Sequence, residues 1–142
     1  MRKIAKKGLD VERHLARKLL SYGFGVIRGP ASGRRGKYLK YPDLVAIYNK
    51  RILVFEVKSI SELKTIYVSK REVEKIKSFA KIANGEAYIA VKIFGDPTVR
   101  IISLDKLEPH GVDKYRIREE TIKNSMSLEE LVMKVKSKSM KE

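Results

Sequence analysis

Residues 42–58 read PDLVAIYNKRILVFEVK, a stretch that opens on a Pro-Asp pair and closes on a Glu-Val-Lys triplet. Between these two motifs lie two β-rich segments, 44–48 and 52–57, which are joined by the polar residues 49–51. A short polar turn between two β-rich segments is typical of a tight hairpin. We therefore expect the two segments to be antiparallel neighbours in a sheet.

Charge indicates the kind of partner. The chain of 142 residues carries 32 Lys and Arg against 17 Asp and Glu, a formal net charge of +15. Such an excess goes beyond the needs of solubility and favours a polyanionic partner. No apolar run approaches the roughly 18 to 20 residues of a membrane-spanning helix, and no signal-peptide pattern opens the chain. We expect a cytoplasmic protein that binds nucleic acid, with neither a membrane nor a small molecule as its partner.

The residue types that are missing limit the possible chemistry. Cysteine is absent, which excludes disulfides, thiolate zinc sites and a cysteine nucleophile, and the two histidines, His14 and His110, can supply single ligands at most. A metal site in this chain must therefore depend on carboxylates. Oxygen ligands favour hard cations, so Mg²⁺ is the expected cofactor and Mn²⁺ a possible substitute.

Asp43, Glu56 and Lys58 are the candidate catalytic residues. Side chains two apart on a strand share a face, so Glu56 and Lys58 emerge together while Val57 turns away. The hairpin can bring Asp43 opposite them. Two adjacent carboxylates repel each other unless a cation lies between them, and a divalent cation meets that need. The adjacent lysine could orient or help deprotonate an attacking water and neutralise charge on phosphorus in the transition state.

Glu12 is a further candidate, for a different reason. It precedes Leu15, Ala16 and Leu19 by three, four and seven residues, and so shares the inward stripe of a helix. A carboxylate on such a stripe is costly unless it is paired or metal-bound. Arg13, or a position at the helix boundary, would also account for it.

Ordinary explanations exist for each motif taken alone. A Pro-Asp pair is a common start of a strand, Glu-x-Lys often ends a salt-bridged strand edge, and a basic loop is often a solvated turn. Their combination with a strongly basic chain favours catalysis. Lys and Arg near an acidic metal site would also offset its repulsion of phosphate. The basic loop residues that we assign to nucleic-acid binding on this ground are Arg34, Arg35, Lys37 and Lys40.

The remaining pattern predicts one α/β domain over residues 1–142, with a mixed central sheet that contains the antiparallel hairpin and is flanked by helices. The first predicted helix spans 8–22, with Gly23 as its left-handed cap. The second runs from Ser69 to Asn84 and begins with a capping box between Ser69 and Glu72. A last helix begins with a capping box between Ser127 and Glu130. The other predicted strands are 24–28, 87–94 and 99–104.

These motifs resemble a known family. Pro42-Asp43 with Glu56-Val57-Lys58 resembles the PD-(D/E)xK nuclease signature, and 8–13 resembles the Gly-x-x-x-Glu-Arg opening of archaeal Holliday-junction resolvases of the Hjc and Hje kind. Other parts of the chain are also similar to that family. They are Arg28, the Pro-Ala-Ser-Gly run at residues 30–33, the Ile-Tyr-Val segment at residues 66–68 that precedes Lys70-Arg71, and the Asn84-Gly85 helix end. The resemblance covers almost the whole chain and implies a restriction-endonuclease-like fold.

The resemblance also implies roles for individual residues. Glu12, Asp43, Glu56 and the carbonyl of Val57 would form the metal site, with Lys58 catalytic and Ser32 on a loop needed for cutting. Arg13 and Arg28 would bind substrate, and we expect Lys70 and Arg71 to bind DNA as well. Members of the family act as homodimers that make symmetric nicks in a four-way junction and leave 5′-phosphate and 3′-hydroxyl ends. The long basic loop between Ser32 and Asp43 departs from shorter members and leaves the strand preference open.

Two alternatives stay open. A PD-(D/E)xK nuclease could act on linear, flapped or damaged DNA, and a non-catalytic basic protein could bind nucleic acid without any dependence on Glu56. For the homodimer, the second helix is the expected interface, through part of the stripe formed by Ile76, Phe79 and Ala83.

Overall fold

The computed structural model describes residues 2–29 and 41–141, with side chains described for 10–29 and 41–139. Its helices are α1 (Arg2–Ser21), α2 (Lys70–Ala83), α3 (Glu119–Lys123) and α4 (Leu128–Lys141). Its strands are β1 (Gly25–Arg28), β2 (Leu44–Tyr48), β3 (Arg51–Ile60), β4 (Ile66–Ser69), β5 (Glu86–Ile93), β6 (Val99–Ser103), β7 (Glu108–His110), β8 (Lys114–Ile117) and β9 (Met126–Ser127), with a 3₁₀ turn at Leu104–Lys106.

The larger sheet has six strands in the order β1-β2-β3-β5-β6-β9. Strands β3 and β5 are parallel, and every other neighbouring pair is antiparallel. A parallel pair needs a long crossover, which β4 and α2 provide between residues 60 and 86. The predicted mixed α/β sheet with helices on its faces is therefore confirmed.

The hairpin at the centre of this sheet turns over two residues. Asn49 and Lys50 have φ values of 47° and 71°, so both adopt the left-handed conformation. That pair of values matches the I′ turn, whose twist suits antiparallel strands. Tyr48 and Arg51 pair across the turn, and the ladder continues to Leu44 opposite Phe55.

The alternation of side chains along β3 divides the core into two layers. Leu53 and Phe55 belong to the hydrophobic cluster between the sheet and helices α1 and α4, whereas Val54 belongs to the hydrophobic cluster between the sheet and α2. The same period of two continues beyond these residues. It brings Glu56 and Lys58 to the α2 side of the sheet and sends Val57 to the opposite cluster.

A second, smaller sheet, in the order β4-β8-β7, was not predicted from the sequence. Its strands are three or four residues long, and β7 contains Pro109, so none of them gives a clear β pattern. Ile66, Val68 and Ile117 bury its inner face in the cluster beneath α2. A hydrogen bond from Lys70 N to the Asp113 carbonyl, 2.8 Å long, ties its hairpin tip to the start of α2.

The helix boundaries agree with the predicted caps. Ser69 and Glu72 form the capping box of α2, and Asn84 ends that helix in the left-handed conformation. Gly23, with φ of 92°, follows α1 as expected, although α1 begins at Arg2 and not at Gly8. Short α3 was not predicted. None of the helices in the described ranges is long and apolar enough to cross a membrane.

Candidate active site

Asp43 and Glu56 meet at the open end of the hairpin. One residue beyond the last ladder pair, Leu44 with Phe55, the register brings Asp43 opposite Glu56. The backbone N–H of Val57 donates to Oδ2 of Asp43 over 2.8 Å, which fixes the carboxylate against β3. Burial raises the pKa of Asp43 despite this hydrogen bond. The predicted pairing of the two carboxylates across the hairpin is therefore present.

Glu56 is the most unusual side chain of the site. The residue is 4% exposed and lies among apolar strands, where an ionised carboxylate is costly. Burial, and then the charge of Asp43, raise the pKa of Glu56 to about 8. The Nζ of Lys75 on α2 lies 3.0 Å from Oε1 of Glu56 as an ion pair, yet this buried oxygen accepts no hydrogen bond of normal geometry from the described residues.

Glu12 approaches the same carboxylates from α1. It is half-buried; burial and then the charge of Asp43 raise the pKa of Glu12. An Arg28 guanidinium nitrogen lies 3.6 Å from Oε1 of Glu12. Arg13, the alternative partner considered from the sequence, instead lies 3.9 Å from Asp10 at the surface. The inward stripe of the helix thus carries Glu12 to the site, and Arg28 on β1 is its ion-pair partner.

Lys58 forms an ion pair with a glutamate of α2. Its Nζ lies 2.5 Å from Oε2 of Glu72, and the other oxygen of Glu72 accepts from the backbone N–H and the hydroxyl of Ser69. Burial tends to raise the pKa of Glu72, but hydrogen bonds with Glu56 and Lys58 outweigh it and lower that pKa to about 2. One side chain therefore caps the helix and orients the candidate catalytic lysine.

The donor set suits a hard cation, although it is not preorganised. Within 10–29 and 41–139, no three acidic or histidine side chains are already grouped closely enough to hold a metal ion. The charge of Asp43 nevertheless raises the pKa of both Glu12 and Glu56, and Glu56 retains a buried oxygen without a hydrogen bond from the described residues. A divalent cation among them would relieve both costs.

The predicted DNA-binding residues fall into two groups. Arg13 and Arg28 lie on α1 and β1 beside Glu12, and Lys70 and Arg71 lie in the first turn of α2 close to Ser69. Arg13, Arg28, Lys70 and Arg71 are all exposed. Ser32, Arg34, Arg35, Lys37 and Lys40 lie outside the described residues, so their predicted roles stay predictions.

Sequence reasoning missed Glu72 and Lys75. Glu72 was assigned to the capping box alone, and Lys75 looked like one of many surface lysines. A signal was nevertheless present, because Glu72, Lys75, Ile76 and Phe79 follow the i, i+3, i+4, i+7 spacing of one helix face. Ile76 on that face is fully buried against the sheet. Two charged residues on such a face must meet partners on the strands beneath.

Along most of its length, the chain is similar to proteins of known family. The family model of the archaeal Holliday junction resolvase (Hjc) matches residues 3–140. The crossover junction endodeoxyribonuclease Hjc of Sulfurisphaera tokodaii is 39% identical over 132 residues, which cover 93% of this chain and 90% of that protein. The protein of the same name from Sulfolobus acidocaldarius is 38% identical over 135 residues, 95% of this chain and 92% of that protein.

A solved structure is similar along almost the same length. The Holliday junction resolvase Hjc of Archaeoglobus fulgidus superimposes with a TM-score of 0.76 at 31% sequence identity, covering 89% of this chain and 95% of that chain. Sequence and fold thus indicate the same family, the one that the motifs around Glu12, Asp43 and Glu56 resemble. This chain belongs to the archaeal Holliday junction resolvase (Hjc) family of nucleases.

Proposed function

We propose that this protein resolves four-way DNA junctions by paired nicking that depends on a divalent cation and leaves 5′-phosphate and 3′-hydroxyl ends. The observation that carries the proposal is Glu56, a buried carboxylate opposite Asp43 and two residues from Lys58 on the same face of β3. Names of the related proteins, crossover junction endodeoxyribonuclease and Holliday junction resolvase, support the choice of substrate.

Glu12, Asp43, Glu56 and the carbonyl of Val57 would hold the cation, Mg²⁺ or Mn²⁺. The bound cation would supply electrostatic stabilisation to a phosphate and lower the pKa of a water molecule. Lys58 has a separate role: held by Glu72, its ammonium faces the developing negative charge on phosphorus and can orient the attacking water. Asp43 is in turn oriented by the backbone of Val57.

Basic side chains around the site would guide the DNA. Arg28, Lys70 and Arg71 flank the carboxylates from β1 and α2, and we assign them, with Arg13, to phosphate contacts. The loop residues Arg34, Arg35, Lys37 and Lys40 are proposed to add contacts, and Ser32 to act in cutting. Contacts with phosphates position a substrate without reading its bases, which suits an enzyme that selects by shape.

We further propose that the active species is a two-fold homodimer. Next to the site, an apolar groove is formed by Ile27, Ile47 and Ile52 of the sheet and by Phe79 and Ala83 of α2. Ile27 and Ile47 are 62% and 38% exposed, so the groove faces solvent in the single chain. A four-way junction has two-fold symmetry. A second copy of the chain bound at this groove would give the dimer two active sites, one for each of the paired nicks. Ile76 belongs to the core and not to this surface.

The proposed dimer can be tested by substituting a residue of the apolar groove. We expect Ile47→Asp to shift the protein to monomers in sedimentation and to replace paired cuts by single nicks, because a buried charge disfavours the apolar contact. Met133→Asp is the matched control, since Met133 is 71% exposed on α4, away from the groove. A monomeric wild type that still makes paired cuts would contradict the dimer.

The catalytic assignment is tested by cutting and binding measured side by side. On a synthetic four-way junction with Mg²⁺, Glu56→Gln and Asp43→Asn should abolish single-turnover cleavage. In EDTA the same variants should bind the junction as well as, or slightly better than, the wild type, because each removes a negative charge. Lys58→Ala should also stop cutting but should weaken binding modestly.

Each alternative predicts a different result. A linear duplex of the same sequence, cut as fast as the junction, would favour a nuclease for other DNA structures. Full cleavage by Glu56→Gln would end the assignment of Glu56. Binding without any Mg²⁺-dependent cutting by the wild type would favour a non-catalytic DNA-binding protein.

A further inference from the structure

Lys75 on α2 forms an ion pair with Glu56 in the proposed metal site. Its Nζ lies 3.0 Å from Oε1 of Glu56, and the two side chains are 21% and 6% exposed. The charge of Lys75 lowers the pKa of Glu12, of Asp43 and of Glu56 alike. Two other cations of the site, Arg28 and Lys58, form ion pairs with different carboxylates, Glu12 and Glu72. Lys75 therefore contacts one of the three acids proposed to bind the metal, and its charge acts on the other two.

An ammonium and a divalent cation cannot both use this position. Two positive charges a few ångströms apart repel, and the repulsion is strong where water is partly excluded. The pair of Lys75 and Glu56 also lacks normal hydrogen-bond geometry at Oε1, so little besides charge holds the ammonium there. A lysine has a flexible stem and can leave such a position without moving its helix.

We propose that Lys75 is an exchangeable counter-ion: it neutralises Glu56 in the metal-free site, leaves when a divalent cation binds, and then contacts the phosphate of the bound DNA. This inference rests on the proposed function. Lys75 differs in this from Lys58, whose partner Glu72 is an acid that we do not assign to the metal, so that Lys58 keeps its place throughout. Once displaced, the ammonium of Lys75 would have three donors free for a phosphate oxygen of the DNA.

The first test measures thermal unfolding at about pH 9, where Glu56 is mostly ionised, in EDTA and in Mg²⁺ for the wild type, Lys75→Met and Lys75→Arg. In EDTA, Lys75→Met should unfold at a lower temperature than the wild type, because Glu56 and Asp43 lose their neutralising charge. In Mg²⁺ most of this loss should be recovered, and Lys75→Arg should resemble the wild type in both conditions. Lys77→Ala, which removes an exposed lysine of the same helix, is the control.

The second test titrates the cation alone. We expect Lys75→Met to need roughly tenfold less Mg²⁺ for half of the thermal shift, a coupling in the usual range. The titration is made at about pH 9, so that a proton does not simply replace the ammonium on Glu56. An equal loss of stability in EDTA and in Mg²⁺, or weaker binding of Mg²⁺ by Lys75→Met, would overturn the exchange and leave Lys75 a structural residue.

The third test follows junction binding by gel shift in EDTA and in Ca²⁺. Relative to the wild type, Lys75→Met should bind modestly more weakly in EDTA, where Lys75 is engaged with Glu56, and several-fold more weakly still in Ca²⁺. Equal affinity in Ca²⁺ would overturn the phosphate contact. Wild-type cleavage in Mg²⁺ is measured in parallel: if it is absent, the proposed function fails, whereas normal wild-type cleavage with unaltered Lys75→Met behaviour contradicts the inference alone.

Discussion

Glu56 and Glu72 are two glutamates of one site whose surroundings push their pKa values in opposite directions. Burial and the adjacent Asp43 raise the pKa of Glu56 to about 8, whereas hydrogen bonds with Glu56 and Lys58 lower the pKa of Glu72 to about 2 against the effect of burial. Glu72 therefore stays ionised at neutral pH, and its charge holds the Lys58 side chain in place. The metal-free Glu56 is the acid of the pair that holds a proton most readily.

Glu72 combines two functions that substitution can separate. Glutamine preserves the capping box, since Gln serves at this position as Glu does. Glu72→Gln should therefore keep the helix cap but lower the cutting rate by about tenfold or more, because the ion pair with Lys58 is lost. Glu72→Ala also loses the cap and should cost roughly 1 kcal/mol of unfolding free energy more. Equal cutting by Glu72→Gln and the wild type would contradict the role in positioning Lys58.

The stability difference between the wild type and Glu72→Gln should depend on pH. Because the pKa of Glu72 is lowered on folding, from an ordinary value of 4.5 to about 2, its ionised form favours the folded state. This contribution of Glu72 to the free energy of unfolding is complete above the pKa that Glu72 has in the unfolded chain. It disappears as the pH falls towards the pKa of about 2 that Glu72 has in the folded protein. Denaturant unfolding in EDTA should show a difference at neutral pH that shrinks in acid; a difference that grows in acid would contradict this sign.

At the scale of elements, the turn from α2 into β5 is fixed by a close approach at Gly85. A Cβ atom at this position would lie 2.6 Å from the carbonyl oxygen of Ile52 on β3, and backbone cannot move aside cheaply. Gly85→Ala should therefore cost about 1 to 3 kcal/mol of unfolding free energy, as overpacking does. Gly25→Ala is the control, because its Cβ would meet Ile47 at an ordinary 3.8 Å. Equal losses in denaturant unfolding would contradict the role of this contact.

The elements also show what the sequence could predict. The β2–β3 hairpin and the capped α2 follow local patterns, so both were predicted, and with them the meeting of Asp43 and Glu56. The parallel direction of β3 and β5 depends on a long crossover that no local period encodes. The small sheet was missed because its short, polar strands are stabilised by the core beneath them. Lys75 was missed for a related reason: its partner is distant in sequence.

At the scale of the whole molecule, the net charge of +15 should dominate binding. With six or more phosphates contacted, junction affinity should fall by roughly 10³-fold or more between about 50 and 200 mM salt. Filter-binding titrations at several salt concentrations check this. A shallow dependence on salt, or a strong preference for particular bases in the junction arms, would favour direct reading of bases instead.

The crossover from β3 through α2 to β5 has a consequence for the chain as it leaves the ribosome. Segments emerge from the N-terminus onwards, so the hairpin that carries Asp43 and Glu56 can form before Lys75 and β5 have been made. During that interval Glu56 lacks its ammonium, and one edge of β3 is open to pairing with another nascent chain. While residues 60–93 are being synthesised, this open edge of β3 thus exposes the nascent chain to aggregation.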